Sequence, residues 1–457
     1  MNWKKDSRVA SFWHLSKSGD KVECELCPRN CSLKTDQMGF CQVRGNVENE
    51  MHTFNYGKSV QATIECIETE AVNHFMPGAK ILSMGNVGCM MSCSYCQNWQ
   101  TSQVKHLDAN NVKSYTPEQV VELALSNGVK VISWTYNDPV VWQEFVVETS
   151  RLAQKNGLVT LYKSALYIEE KPLAELIEVM DIFSISLKCM DAEVYKKITK
   201  GELAPVLRGI KQISDSGKHL ELSQLIVTEL NDDGVDARKT AIWMRENLSP
   251  DVPLHLVAYH PAFRYNKPRT TLETLFKLRD IVIEEGIQHC YLGNVYADNV
   301  SNTFCKKCNE KLVERFGLTV NVLGLDKDSN CTNCGTHSPI RKPLGGQRKL
   351  DKDYSGFNSK QNFEYNWNTE GNSLHVVMDE PNSDNIILKI NRLPENKTEY
   401  IEMNSGLERI ILSRSGVEDQ QIVISADTTS KIHYLPVLDR AHFPVVEDNT
   451  KKKKYLN

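Results

Sequence analysis

The chain has 457 residues, 40% of them apolar, and 54 Lys and Arg against 58 Asp and Glu give a net charge of −4. That is material for one large domain and smaller ones; the near-neutral charge gives no electrostatic case for nucleic acid as a partner, and no run of about 18 apolar residues marks a membrane span. The N-terminus, Met1-Asn2-Trp3-Lys4-Lys5-Asp6, lacks the apolar core of an export signal, so a reducing, cytoplasmic setting is expected.

In that setting the 14 cysteines point to metal or iron–sulfur ligation rather than disulfides. Eleven of them form three clusters with short spacings, while Cys66, Cys189 and Cys290 stand alone as small core residues. The first cluster, Cys24-x2-Cys27-x3-Cys31-x9-Cys41, lies in an N-terminal Cys-rich segment, residues 1–75. Four thiols this close suit a structural zinc, an auxiliary iron–sulfur cluster, or redox or substrate work near the active site.

From residue 76 to 298 short apolar runs alternate with amphipathic stretches, the pattern of βα units on a parallel sheet. Strands are predicted at Ile81–Met84, Val129–Trp134, Val159–Tyr162, Ile182–Leu187, Leu220–Val227, Leu254–Ala258 and His289–Gly293. One helix opens at Thr116-Pro117-Glu118-Gln119, where threonine caps, proline takes the first position and glutamine completes a capping box. Others are predicted near Pro139–Asn156, Lys171–Met180, Ala192–Thr199, Leu203–Ser216, Val235–Asn247 and Leu272–Glu285. The fold class expected is α/β, a partial (β/α)6-type barrel with its chemistry at the C-terminal ends of the strands.

Just past the first of those strands comes Cys89-x3-Cys93-x2-Cys96. Thiolates are soft ligands for iron, and three of them on a four-iron cluster leave one iron open to another ligand. The third cluster, Cys305-x2-Cys308 and Cys331-x2-Cys334, forms two knuckles of a zinc-ribbon-like segment at 299–340. Beyond Gly345-Gly346 cysteine vanishes and short alternating runs appear at Asn385–Ile390, Glu408–Leu412 and Gln421–Ile424. Residues 341–457 thus form an appendage, a small β-rich module or a partly disordered tail, ending in the solvated run Lys451-Lys452-Lys453-Lys454.

Cys89-x3-Cys93-x2-Cys96, with Tyr95 before the last cysteine and Gln97-Asn98-Trp99 after it, resembles the signature of the radical S-adenosylmethionine (SAM) superfamily, close to the pyruvate formate-lyase activating enzyme. Cys27-Pro28-Arg29-Asn30-Cys31, Thr135-Tyr136-Asn137-Asp138-Pro139, Leu203-Ala204-Pro205-Val206-Leu207, His260-Pro261, Gly293-Asn294-Val295 and Asn302-Thr303-Phe304-Cys305 resemble the subgroup called AmmeMemoRadiSam-system radical SAM enzymes, over residues 20–340. The resemblance implies an enzyme of the oxidoreductase or activating type. Its [4Fe-4S] cluster, held by Cys89, Cys93 and Cys96, would cleave SAM reductively to a 5′-deoxyadenosyl radical that acts on an unidentified substrate, a protein or peptide among the candidates. A reductant such as flavodoxin or ferredoxin is implied as partner.

Tyr95 then becomes a candidate contact to the adenine, and Asn137 and Asp138 become cofactor contacts or turn caps. Where relatives read Tyr-Asn-Glu-Pro, Thr-Asn-Gly and Asp-Leu-Lys, this chain has Tyr136-Asn137-Asp138-Pro139, Ser164-Ala165-Leu166 and Ser186-Leu187-Lys188. With the aspartate lost at Ser186, Lys163 is expected to supply a fixed positive charge for the SAM carboxylate, or else to face solvent. Lys188 and His260 complete the cofactor-side candidates. Two alternatives stay open: an activase of a glycyl radical enzyme, and a catalytically silent metal-binding scaffold.

Overall fold

The computed structural model describes residues 4, 6–297 and 299–342 and, beyond them, 347–350, 358–366, 373–378, 386–393, 397–403, 409–413, 421–428, 432–437 and 442–443. The expectations for Gly345-Gly346, Asn385, Glu408 and the terminal lysine run lie outside the described residues. These residues divide into two units, one holding Met1–Glu65 and Lys80–Val295, the other Cys66–Ala79 and Tyr296–His442.

The first unit is built on seven strands: β1 (Lys80–Asn86), β2 (Val131–Thr135), β3 (Val159–Ser164), β4 (Ile182–Ser186), β5 (His219–Ile226), β6 (Leu254–Ala258) and β7 (Cys290–Gly293). They lie in sequential order and every neighbouring pair is parallel. Parallel strands covered on both faces read as continuous apolar runs, and β2, Val-Ile-Ser-Trp-Thr, is buried at all five positions. Between them run α1 (Pro117–Ser126), α2 (Gln143–Lys155), α3 (Glu170–Val179), α4 (Ala192–Thr199), α5 (Leu203–Asp215), α6 (Val235–Asn247) and α7 (Leu272–Glu284).

The capping box of α1 forms as expected: Gln119 N donates to Thr116 Oγ1 at 3.3 Å and Thr116 N to Gln119 Oε1 at 2.9 Å. The helix expected from Pro139 begins instead at Gln143, after the 3-10 turn Pro139–Trp142, because the Asp138 side chain caps Val140 N and holds Pro139 in a tighter entry turn. That turn buries Trp142 edge-on against Trp134 of β2, their rings 5.6 Å apart. No strand was expected before β1, yet Lys58–Cys66 lies beside β1 in the same sheet. Two small antiparallel sheets precede it, Arg8–Val9 with Glu50–Thr53 and Arg44–Val47, and Trp13–Leu15 with Val22–Cys24 and Ser32–Leu33.

In the second unit a three-stranded antiparallel sheet, Thr303–Phe304, Lys311–Phe316 and Thr319–Val322, carries the ribbon cysteines. Its buried Arg315 is satisfied by Ser301 O at 3.0 Å, Thr303 Oγ1 at 2.9 Å, Asn73 O at 2.6 Å and Glu68 Oε1 at 3.4 Å. The strands described between 347 and 437 form a five-stranded and a three-stranded antiparallel sheet sharing one core that includes Leu374, Leu388, Ile401, Leu412 and Ile424. That is the β-rich alternative, produced by the period-two apolar alternation of strands such as Ile386–Leu393. Among the described residues no helix is long and apolar enough to cross a membrane.

Candidate functional site

Residues 87–98 leave the C-terminal end of β1 as a loop carrying Cys89, Cys93 and Cys96. Gly88 (φ +87°) has no room for a side chain, since a Cβ there would lie 2.7 Å from Val43 Cγ1 and 2.9 Å from Cys41 O. The loop is pinned by its backbone: Ser92 N and Ser94 N donate to Thr199 O and Ile198 O at the end of α4, each at 3.0 Å, and Arg264 N donates to Ser94 O at 2.9 Å. Met91 N donates to Cys89 Sγ at 3.4 Å, and Cys96 Sγ lies 3.4 Å from Ser102 Oγ. Burial pushes the Cys89 thiol well up and the Cys93 thiol to about 12, the latter against the pull of the Lys188 ammonium. Burial therefore favours the protonated form of the Cys89 and Cys93 thiols, and a metal bound there would displace their protons.

Asn137 Nδ2 donates to Asn86 O at 2.6 Å, its Oδ1 accepts from Thr101 Oγ1 at 3.0 Å, and Asn98 Nδ2 donates to Tyr136 O at 2.7 Å. These bonds tie the end of the cysteine loop to the end of β2. The buried Asp138 carboxylate accepts from Ser164 Oγ at 2.8 Å, Ala165 N at 2.7 Å and Val140 N at 3.2 Å. This is the capping geometry, and it joins the ends of β2 and β3. Burial raises the Asp138 carboxyl, against those three donors and Lys188.

Lys163 runs along the sheet rather than into solvent: its Nζ donates to Ser184 Oγ on β4 and to Ser223 Oγ on β5, both at 3.0 Å. Strand register explains this, because Lys163 is opposite Ser184, Ser184 opposite Glu221, and Ser186 opposite Ser223. Deeper on β5, Glu221 accepts from His219 Nε2 at 2.9 Å and from His255 Nε2 at 2.7 Å, all three buried. His260, past β6, accepts from Gln97 Nε2 at 3.2 Å. Lys188 follows β4, its carbonyl accepting from Asn231 Nδ2 at 3.0 Å. The Tyr95 hydroxyl is buried without a hydrogen-bond partner, as are the Tyr162 and Tyr195 hydroxyls and Asn86 Oδ1. Unsatisfied polar atoms at this density mark a place where a polar ligand fits.

Cys24, Cys27, Cys31 and Cys41 line one small cavity together with Arg29 and Met90, the residue after Cys89. In the second unit the four ribbon sulfurs all lie within 4.8 Å of one another, with Cys305–Cys334 and Cys308–Cys331 at 3.6 Å. A tetrahedral zinc with bonds of about 2.3 Å sets its sulfurs about 3.8 Å apart, so one ion fits the ribbon quartet.

The Radical SAM superfamily model matches residues 85–239, from the last two residues of β1 into α6. An uncharacterized protein of Methanocaldococcus jannaschii is 35% identical over 330 residues, 72% of this chain and 98% of that protein. The chain belongs to the radical SAM superfamily. It is an enzyme of that type, in a family that uses a [4Fe-4S] cluster and SAM. The radical SAM relatives include the Pyruvate formate-lyase 1-activating enzyme of Escherichia coli K12, 22% identical over 189 residues, which are 40% of this chain and 75% of that enzyme. A domain of pyruvate-formate lyase-activating enzyme from Bacteroides vulgatus ATCC 8482 aligns with a TM-score of 0.32 at 16% identity, covering 35% of this chain and 98% of that domain.

Several residues of this radical SAM site were not singled out from sequence. Asn86 and Thr101 act through hydrogen bonds between distant loops, which no local pattern announces. The His219, Glu221 and His255 cluster did leave a signal: polar residues at alternate positions, His219, Glu221 and Ser223, in a buried strand.

Proposed function

We propose that Cys89, Cys93 and Cys96 hold a [4Fe-4S] cluster at which SAM is reductively cleaved, and that the product radical acts on a protein or peptide. The observation that carries this is the three-thiol loop at the C-terminal end of β1, surrounded by the buried, unpartnered Asn86 Oδ1, Tyr95 hydroxyl and Tyr195 hydroxyl. When bound, the cluster and SAM supply a one-electron cleavage of the sulfonium and a carbon radical able to abstract hydrogen.

The chain's own residues do the rest. Lys163, steadied by Ser184 and Ser223, presents a fixed cation to the carboxylate end of SAM where the aspartate of relatives is replaced by Ser186. Asn137 and Asp138 hold the ends of β1, β2 and β3 in register beside the cysteines, and the Tyr95 ring closes the loop against water. Lys188, the cation acting on both Cys93 and Asp138, offsets the negative charge of the thiolates, and His260 with Gln97 borders the site at β6. Sequential parallel strands joined by helical crossovers support reading the sheet as a partial (β/α)6-type barrel curled around that site. The motifs quoted above favour the AmmeMemoRadiSam-type subgroup, working in a reducing cytoplasm with flavodoxin or ferredoxin as electron donor.

A glycyl-radical activase is the second reading, favoured by the similarity to the Pyruvate formate-lyase 1-activating enzyme. Both readings require SAM on the open iron. Adding SAM to the reconstituted, dithionite-reduced protein should change its cluster electron paramagnetic resonance spectrum, and Cys93→Ala should abolish the change. An unchanged spectrum in the parent protein would reject both.

A further inference from the structure

We infer that Cys24, Cys27, Cys31 and Cys41 bind a second four-iron cluster, fully ligated by protein, rather than a zinc ion. The ribbon in the same chain provides the internal standard. Its four sulfurs gather within 4.8 Å, as one tetrahedral ion requires, whereas among the described residues the N-terminal quartet is not one of the groups that converge on a single metal-ion position. They instead surround a common cavity. In a cubic cluster each thiolate binds its own iron, so the four sulfurs stand at the corners of a larger tetrahedron than one ion allows.

The surroundings suit a buried, negatively charged cluster. Leu26, Leu33, Phe40 and Met51 give the cavity apolar walls. Arg44, 2% exposed, also lines it; one guanidinium nitrogen pairs with Glu144 Oε1 at 2.9 Å, another donates to Ser11 O, and Nε is buried with no partner. A buried N–H left unsatisfied beside four thiols is a donor waiting for an anion.

Its position adds a role. Met90, a wall of the cavity, follows Cys89 directly, so the second cluster would adjoin the first along a single peptide link. With all four irons ligated it has no position for SAM, and its chemistry is one-electron exchange. The inference stands independently of SAM cleavage at Cys89, Cys93 and Cys96.

The test is a metal and sulfide analysis of the full chain with Cys89, Cys93 and Cys96 all replaced by alanine, reconstituted anaerobically with iron and sulfide and then desalted. About four irons and four sulfides per chain are expected, with about one zinc from the ribbon. About two zincs without iron, or no iron at all, would overturn the inference. Should that variant fail to fold, the double variant Cys27→Ala/Cys31→Ala is the counterpart: iron should fall from about eight to about four per chain with the SAM-dependent spectral change retained. Unchanged iron in that variant would also overturn it.

Discussion

Arg29 Nε donates to the carbonyl of Met90 at 2.7 Å, so the N-terminal Cys-rich segment grips the loop that carries Cys89. The same guanidinium donates to Lys200 O just past α4 and stacks 3.6 Å from the Phe40 ring centroid. One planar cation thus joins three separate pieces of chain, which a lysine could not do.

Arg29→Ala should therefore loosen the cysteine loop without touching any thiol. Losing charge-assisted hydrogen bonds to two backbone carbonyls should cost about 1.5–3 kcal/mol. Thermal unfolding of the metal-loaded protein measures this, and the rate of iron loss to a chelator should rise in parallel. Arg29→Lys should recover only part of the loss.

Lys163→Ala should weaken SAM binding by about 10-fold or more, the scale of one lost charge-assisted contact in a partly buried site. Equilibrium binding to the reconstituted protein measures it. SAM affinity unchanged in Lys163→Ala would remove the role given to this ammonium. The structure disposes of the solvent-facing alternative but leaves the ligand contact to this experiment.

Glu221 gives a pH signature. Burial pushes its carboxyl up, but the donors His219 and His255 together pull it well below the usual carboxylate range. A depressed folded-state value means stability present above the unfolded carboxyl range, about pH 4.3, and lost as pH falls through the folded value. Urea midpoints should drop on acidification below about pH 4.3, and Glu221→Gln should flatten that dependence while lowering stability at pH 7 by about 1–3 kcal/mol, the scale for weakening a buried hydrogen-bond network.

The ribbon should lose its ion when one corner is removed. Cys308→Ala should lower zinc by about one ion per chain and leave iron unchanged, because the four sulfurs converge on one point in a unit separate from the Cys89 loop. Inductively coupled plasma mass spectrometry of the purified variant reads both metals at once.

How much of this was legible in sequence depends on the range of the interaction. The seven strands and most helices follow from local period and caps, as Thr116 and Gln119 illustrate. The cysteine spacings just past the first strand locate the loop for the same reason. The direction of Lys163 was not legible, since it depends on Ser184 and Ser223 becoming neighbours through parallel register across two crossovers. The N-terminal strands were missed because they are two to four residues long, apart from Lys58–Cys66, whose polar Gln61 and Thr63 break the apolar run. Asp138 was read as either cofactor contact or cap, and only the approach of Ser164 and Ala165 from β3 shows the cap.

The most direct test of the central claim is the formation of 5′-deoxyadenosine by the anaerobically reconstituted protein, supplied with dithionite and SAM and assayed by liquid chromatography. Time-dependent 5′-deoxyadenosine with methionine in equal amount is expected from the parent chain, and none from Cys93→Ala. A blank from a parent protein that carries its full iron and sulfide would contradict the account.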